Sequence, residues 1–287
     1  MSEARISKWR WIVGTLTILV AWILIGSLLT GLVAKWWELD LRAITSTDEK
    51  SIAIVRSYQP WRAATAVLLS FIPLFVTTCL AYRYILKKPL LRLFTMHDSL
   101  NPKRIAQGAF VMALILIITA IPDFIINSKD YTWSFKSGTF LPYLLMALIL
   151  IPLQTSSEEL FYRGWLQQWS DNGRRSIVTI SLFNGLLFAL PHLSNPEVKG
   201  ELFLAVIGYG STGFMFAWTT YRDRSLELAL GAHAANNLIA GLLVSSSDSA
   251  LPAASLWTTP PVAWGPAAIV SLITIPLFIA GTRRFAR

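Results

Sequence analysis

The sequence contains few charged residues and a single cysteine. Asp, Glu, Lys and Arg make up 14% of its 287 residues, whereas 54% are hydrophobic, and the mean hydropathy is +0.53. A soluble helical protein of this length needs a polar outer surface, and the charged residues are too few to supply one. Cys79 has no partner for an intramolecular disulfide, and we assign it to packing. The composition therefore excludes a soluble globular domain and a disulfide-stabilised one.

Eight long windows contain no Asp, Glu, Lys or Arg at all. Each meets or approaches the roughly 20 residues that a helix needs to cross about 30 Å of hydrocarbon. The windows are 11–34, 63–82, 105–122, 137–157, 176–196, 202–221, 228–247 and 251–282. The first is too long for the apolar part of a signal peptide and lacks a small-residue cleavage site, so we expect it to be retained. The predicted fold class is all-α, a polytopic transmembrane helical bundle of about eight spans.

The net charge of +9 is distributed unevenly between the predicted loops. With the N-terminus inside, the inner loops and the two termini carry 17 of the 25 lysines and arginines. Such an excess is typical of the cytoplasmic side, so both termini are predicted to be cytoplasmic, which requires an even number of spans. We expect an integral multi-pass protein of a bacterial cytoplasmic membrane. The basic charge then faces lipid headgroups, which predicts membrane lipids and no nucleic acid as partners.

The chain shows no soluble domain, internal repeat or nucleotide-binding glycine loop. We divide it into a first region of about three spans without a recognised motif (1–140), a second region with spans four to seven (141–245), and a last span with a basic tail (246–287). Three glycines in the sixth window favour close helix packing rather than phosphate binding. They are Gly208, Gly210 and Gly213.

Three polar clusters interrupt the apolar runs of the second region. They are Glu158 and Glu159 with Arg163, Phe188 with His192, and His233 with Asn237. An ionisable residue inside a membrane helix costs roughly 2.5–3.5 kcal/mol on insertion scales, so each cluster needs an explanation. Glu159 and Arg163 have the i, i+4 spacing and order of a helical ion pair. Glu158 is rotated by about 100° from Glu159, which leaves its carboxylate available as a general base.

Each cluster has a simpler explanation on its own. Adjacent glutamates can mark the end of a span, a lone histidine more often packs than reacts, and a histidine–asparagine pair can hydrogen-bond between helices. Together they are more informative, because helix rise allows the clusters to meet. A turn near Asn172 and Gly173 would place Glu158 roughly 21 Å and His192 roughly 30 Å from it, a mismatch that tilt and side-chain reach can absorb. The same arithmetic predicts a helical hairpin that extends past the bilayer.

The motifs Glu158-Glu159-x-x-x-Arg163, Phe188-x-x-x-His192 and His233-x-x-x-Asn237 resemble, in this order, those of the CAAX-protease and bacteriocin-processing family of intramembrane proteases. The resemblance covers roughly 141–244 and implies that the second region is a protease core. It implies that Glu158 activates the attacking water and that His192 helps to position it. His233 and Asn237 would donate hydrogen bonds to the developing oxyanion. Glu159, Arg163 and Phe188 would support the site.

The sequence leaves the cofactor unknown. Glu158, His192 and His233 could hold zinc with an open position for water. However, the sequence has no His-Glu-x-x-His motif and asparagine is a poor zinc ligand, so we favour a metal-free glutamate mechanism, although the family is often labelled as metalloproteases. Loss of activity with a chelator that zinc restores would overturn this preference.

Two other functions fit the same sequence. One is a catalytically inactive membrane scaffold or immunity protein that keeps the protease fold. The other is a proton-coupled transporter that uses the intramembrane glutamates and histidines, although we find no inverted repeat. For a protease, the partner is a peptide or protein substrate, possibly membrane-anchored. The sequence does not distinguish a prenylated C-terminal peptide from a leader peptide or a bacteriocin precursor.

Overall fold

The computed structural model describes residues 6–46, 48–171 and 175–283. The helices are α1 (Lys8–Trp36), α2 (Leu41–Thr45), α3 (Glu49–Ser57), α4 (Pro60–Leu68), α5 (Phe71–Leu80), α6 (Leu91–Phe94), α7 (Pro102–Ile126), α8 (Ser137–Glu159), α9 (Gln168–Ser170), α10 (Ile177–His192), α11 (Leu202–Asp223), α12 (Glu227–Leu242) and α13 (Trp264–Arg283). Two π-helical segments span Ala81–Ile85 and Leu160–Gln167, and two 3₁₀ turns span Ser128–Asp130 and Pro196–Val198. The predicted turn at Asn172 and Gly173 and the tail 284–287 lie outside the described residues.

Six described helical segments are long and apolar enough to cross a membrane. They are Lys8–Trp36, Pro60–Ile85, Pro102–Ile126, Ser137–Ser170, Leu202–Asp223 and Trp264–Arg283. The helices α10 and α12 have 16 residues each, about 24 Å, which is shorter than the hydrocarbon layer. Each charge-free window overlaps one of these eight segments. The all-α polytopic bundle is therefore confirmed, whereas the count of eight spans and the orientation stay predictions.

The fourth segment, Ser137–Ser170, is continuous through α8, the π-helical residues Leu160–Gln167 and α9. Its 34 residues make a rod of about 50 Å, longer than the hydrocarbon layer. Leu160–Gln167 is called the π segment below. The rod places the two adjacent glutamates well inside it, between the apolar first part and the polar end.

Two helix pairs, α7 with α12 and α10 with α11, make the most extensive contacts of the bundle. In the first pair, a Cβ on Gly231 would lie 1.9 Å from the Ile105 carbonyl oxygen, and one on Gly108 would lie 2.2 Å from that of Leu228. No side chain fits at either position, so these glycines allow the two backbones to touch. This contact fixes α12, which carries His233, against α7.

The α10–α11 contact depends on glycine in the same way. A Cβ on Gly185 would lie 2.5 Å from the Gly210 carbonyl oxygen, and one on Gly213 would lie 2.9 Å from the Phe188 Cβ. A Cβ on Gly208 would meet Trp264 of α13 at 2.8 Å. The glycines of the sixth window therefore lie in helix contacts, as expected from the sequence.

A small sheet joins distant parts of the chain at one end of the bundle. Its strands are β1 (Thr132–Trp133), β2 (Val244–Ser246) and β3 (Trp257–Thr259), in the order β1-β3-β2. The β1–β3 pair is antiparallel and the β2–β3 pair is parallel. The sheet connects all three predicted regions, and their boundaries at 140 and 245 stay a prediction.

Polar contacts hold the opposite end of α7. Arg104 forms an ion pair with Asp223 at the end of α11. The Met96 amide donates to the Arg224 carbonyl at 2.9 Å, and Thr95 and Ser225 form an isolated bridge. The basic link, residues 86–101 with Lys87, Lys88 and Arg92, contains α6 and is therefore attached to the turn between α11 and α12.

The glycine contact between α7 and α12 makes a testable prediction. We expect Gly231→Ala to destabilise the protein by about 1–3 kcal/mol, because a methyl group there overlaps the Ile105 carbonyl. Thermal unfolding of the purified protein in detergent measures the loss as a decrease of several degrees in Tm. Gly138→Ala is the matched control, since a Cβ at Gly138 has no neighbour within 4 Å. Equal Tm values for the two variants would contradict the close contact.

Candidate active site

Glu158 and Glu159 are the last residues of α8, where the rod changes into the π segment. Glu158 is 7% exposed, Glu159 is 0% exposed, and Arg163 in the π segment is 1% exposed. Short π-helical stretches are rare and occur frequently at functional sites. Because buried charges are costly unless they are paired, the contacts of these three side chains decide how the site is held together.

One oxygen of the Glu159 carboxylate contacts two partners. Glu159 Oε1 accepts a hydrogen bond from Arg163 Nη1 at 3.0 Å and lies 2.7 Å from His233 Nδ1. Arg163 Nη2 also donates to the Gly213 carbonyl at 3.1 Å. Through these contacts Glu159 joins the rod to α12, and Arg163 joins it to α11. The ion pair that the i, i+4 spacing indicates is therefore present and fully buried.

The imidazole of His233 lies between the two glutamates. An ionised carboxylate only accepts hydrogen bonds, so His233 Nδ1 is the donor to Glu159. On the other side, His233 Nε2 is 3.5 Å from Glu158 Oε2, which is too long for a good hydrogen bond. Glu158 Oε2 has no hydrogen-bond partner among the described residues. Glu158 thus keeps an unused acceptor oxygen beside an imidazole.

The Phe188 ring contacts both histidines of the site. Its ring centroid is 4.7 Å from that of His192 and 5.6 Å from that of His233, so the two imidazoles are no further apart than the sum of these distances. The Arg163 guanidinium lies 4.6 Å from the same ring, a cation–π contact. All three sequence motifs therefore meet around one aromatic side chain.

The His192 ring contacts two aromatic rings and is bound at one nitrogen. His192 Nδ1 lies 2.7 Å from the Phe188 carbonyl oxygen. Because a carbonyl only accepts, Nδ1 carries the proton, and Nε2 of the neutral ring is the acceptor. The Tyr209 ring lies 4.6 Å from the His192 ring at 32°. Tyr209 in turn donates its hydroxyl to Glu197 Oε1 at 2.6 Å.

Asn237 lies one turn beyond His233 on α12 and contacts a residue that the sequence reasoning missed. Asn237 Nδ2 donates to Gln154 Oε1 at 3.2 Å, and Asn236 donates to Asn237 Oδ1 at 3.0 Å. Gln154 precedes Glu158 by four residues and is 8% exposed. The pairs Gln154–Asn237 and Glu158–His233 are therefore successive contacts of α8 with α12.

Some of the site residues that the sequence analysis missed could have been found from the sequence, and others could not. A glutamine four positions before a key glutamate shares its helix face, so the sequence contained a usable signal for Gln154. Tyr209 and Glu197 had none, because an aromatic residue in an apolar span and an acid in a loop are ordinary features. Gly213 was considered only for helix packing, although its carbonyl oxygen receives Arg163.

The zinc set considered from the sequence is not assembled in this arrangement. The Phe188 ring contacts both imidazoles, and the hydrogen bonds of the two Nδ1 atoms leave only the Nε2 atoms as possible ligands. Within the described ranges, no group of three His, Cys, Asp or Glu side chains is placed to hold a metal ion. The residues present, Glu158, His192 and His233, therefore do not fit a shared zinc ion without rearrangement.

The fold and the site together define a polytopic helical membrane protein with a buried cluster of carboxylates and imidazoles. Residues 137–239 match the family model described as "Type II CAAX prenyl endopeptidase Rce1-like". This range contains all seven motif residues, and the family resemblance predicted for 141–244 is confirmed for this part of the chain.

A curated relative extends the similarity beyond the family segment. The chain is 36% identical over 171 residues to the uncharacterized protein YyaK of Bacillus subtilis (strain 168), a match that covers 59% of this chain and 57% of YyaK. The chain thus matches little more than half the length of that relative. No solved structure gives a significant match.

The shared carboxylate oxygen makes a prediction about stability. We expect Arg163→Met to cost about 3–5 kcal/mol, because Glu159 would remain buried without its cation. Removing that charge as well, in the double variant Arg163→Met with Glu159→Gln, should recover part of the loss. Thermal unfolding in detergent measures both effects, with the exposed Arg83→Met as the control. A double variant that is no more stable than Arg163→Met would show that the pair is not the source of the stability.

Proposed function

We propose that the protein is an intramembrane peptidase that hydrolyses a peptide bond by means of water activated at Glu158. The observation that carries this proposal is the contrast between the two adjacent glutamates. Glu159 is paired with Arg163, whereas Glu158 is buried, has no arginine or lysine partner among the described residues, and keeps one unused oxygen next to His233. The match of 137–239 to a prenyl endopeptidase family supports a peptidase at the family level.

The proposed reaction begins at the unused oxygen of Glu158. Glu158 accepts a proton from water while the water oxygen attacks the carbonyl carbon of the peptide bond. The same proton then passes to the leaving nitrogen, the C–N bond breaks, and a carboxylic acid and an amine are released. General acid–base catalysis of this kind contributes typically 10²- to 10⁴-fold.

In this scheme the contact with Glu159 limits how the His233 ring can be oriented and protonated. Its Nδ1 is engaged by Glu159 at 2.7 Å, so the ring is held with Nε2 towards Glu158. His233 Nε2 can donate to a developing oxyanion only in the charged form, for which Glu158 and Glu159 are the adjacent counter-charges. The side-chain amide of Asn237 has two hydrogens, and one of them is donated to Gln154. The other can be donated to the developing oxyanion.

His192 is suited to positioning the water. Its protonated Nδ1 is bound to a carbonyl, so Nε2 of the neutral ring can accept a hydrogen bond from water. Tyr209 stacks on the ring and is anchored by Glu197, which limits rotation of the imidazole. Phe188 contacts the same ring at a centroid distance of 4.7 Å and further restricts it.

We propose a membrane-associated or leader peptide as the substrate. The site residues lie on helices that belong to apolar segments of the chain, so a bond that reaches Glu158 must come from a peptide held at or within the membrane.

The proposal predicts that Glu158→Gln abolishes cleavage and leaves the fold intact. Glutamine keeps the size of the side chain but cannot accept the proton, so we expect cleavage to decrease by at least about 100-fold. Because the substrate is to be identified, the measurement is mass spectrometry of protein termini in membranes from cells with the wild-type or the Glu158→Gln protein. Termini produced by this protein appear only with the wild type.

The matched control is Glu201→Gln, which removes an exposed carboxylate outside the site. Its termini should equal those of the wild type, and the Tm of Glu158→Gln should stay within a few degrees of the wild-type value. Identical sets of termini with wild-type and Glu158→Gln protein would reject the peptidase and favour the inactive scaffold.

A further inference from the structure

A polar crevice reaches the site from the end of the bundle where the basic link lies. Its volume is about 390 Å³, and it opens between the π segment, α11 and the link that contains α6. Arg163, Gln167 and Thr220 lie along its walls, and the exposed Arg224 lies at its edge. The crevice therefore ends at the arginine that is paired with Glu159.

The wall between the π segment and α11 is built from two successive polar contacts. Arg163 Nη2 donates to the Gly213 carbonyl at 3.1 Å, and Gln167 Nε2 donates to the Ala217 carbonyl at 3.0 Å. The donors and the acceptors are each four residues apart, so the contacts follow one another along the two helices. Thr220 continues this row on α11 towards the mouth of the crevice.

Each of these three side chains has a buried polar atom without a partner. Arg163 Nε, Gln167 Oε1 and Thr220 Oγ1 have no hydrogen-bond partner among the described residues. The three residues are 1%, 4% and 9% exposed. Buried polar atoms without protein partners are typically bound to ordered water.

The row of unpaired polar atoms continues into the active site. The Oε2 atoms of Glu159 and Glu158 are also buried without a hydrogen-bond partner among the described residues. None of the unpaired atoms lines the larger cavity of about 1220 Å³ beside Tyr162, whose walls include Trp11, Phe161 and Leu187. The polar crevice, rather than this more apolar cavity, thus leads towards the carboxylates.

We propose that this crevice holds a chain of ordered water molecules that connects the aqueous surface to Glu158 and Glu159. Arg163 Nε requires an acceptor, Gln167 Oε1 requires a donor, and the Thr220 hydroxyl can use both. Water satisfies all three atoms, whereas an anion would be repelled by the glutamine oxygen. A role of this chain in supplying the water of hydrolysis rests on the proposed function, but its presence does not.

Thiol accessibility tests the hydration directly. The native Cys79 is first replaced by alanine, and Thr220→Cys is then compared with Thr219→Cys in the folded protein. Thr219 is the matched control, because it is 0% exposed and its hydroxyl is bound to the Met215 carbonyl at 2.7 Å. The probe is a small positively charged methanethiosulfonate, which reacts with a thiol that contacts water.

We expect Thr220→Cys to react at least about tenfold faster than Thr219→Cys, while Arg224→Cys at the surface reacts fastest. Gln167→Cys provides a second position in the same crevice and should behave like Thr220→Cys. Both crevice thiols reacting as slowly as Thr219→Cys, with unfolding temperatures that show folded protein, would overturn the water chain.

A second arm tests the role of the water in hydrolysis. Thr220→Val removes the hydroxyl at constant shape, and we expect kcat to fall several-fold with KM unchanged, whereas Thr219→Val has no effect. Unchanged kcat in Thr220→Val would overturn the supply of water through the crevice. Absence of cleavage by the wild-type protein would reject the proposed function and leave the accessibility result standing, so the two failures are distinguishable.

Discussion

The arrangement of the site depends on one buried carboxylate, that of Glu159. A fully buried charge in a membrane bundle is unstable unless its partners are fixed. Glu159 has two such partners on one oxygen, the Arg163 guanidinium and the His233 imidazole. Arg163 extends the network to the Gly213 carbonyl, so α8, the π segment, α11 and α12 are joined by a single set of polar contacts. This network sets the positions of the groups around Glu158.

The same burial that stabilises the network of charges also keeps bulk water away from Glu158. Apolar helices surround the carboxylates, yet the hydrolysis that we propose at Glu158 would consume a water molecule. The π segment contributes both to the burial of the charges and to the path for water. It carries Arg163, which belongs to the ionic network, and Gln167, which lines the polar crevice. Both residues lie on the face of the rod that packs against α11, and this face leads from the carboxylates towards the surface.

Much of the fold could be predicted because hydrophobicity alone determines which segments enter a membrane. Each charge-free window overlaps an apolar helix, and the i, i+4 spacing indicated the Glu159–Arg163 pair. The contact of Glu159 with His233 could not be predicted, since 74 residues separate them and the register depends on glycine contacts such as Gly231 with Ile105. Tyr209 was missed for the same reason, because stacking on His192 leaves no local pattern in the sequence.

The central claim is that α8 and α12 are held in the register that places the glutamates opposite His233. Gln154 and Asn237 contact each other one turn away, so cysteines at both positions report this register in the membrane. In a Cys79→Ala background, we predict that a short bifunctional methanethiosulfonate joins Gln154→Cys to Asn237→Cys, which intact-mass analysis reads as one bridging linker. The exposed position Ile149→Cys, paired with Asn237→Cys, should instead carry separate adducts. Bridging of the Ile149 pair in preference to the Gln154 pair would contradict the register and the site built on it.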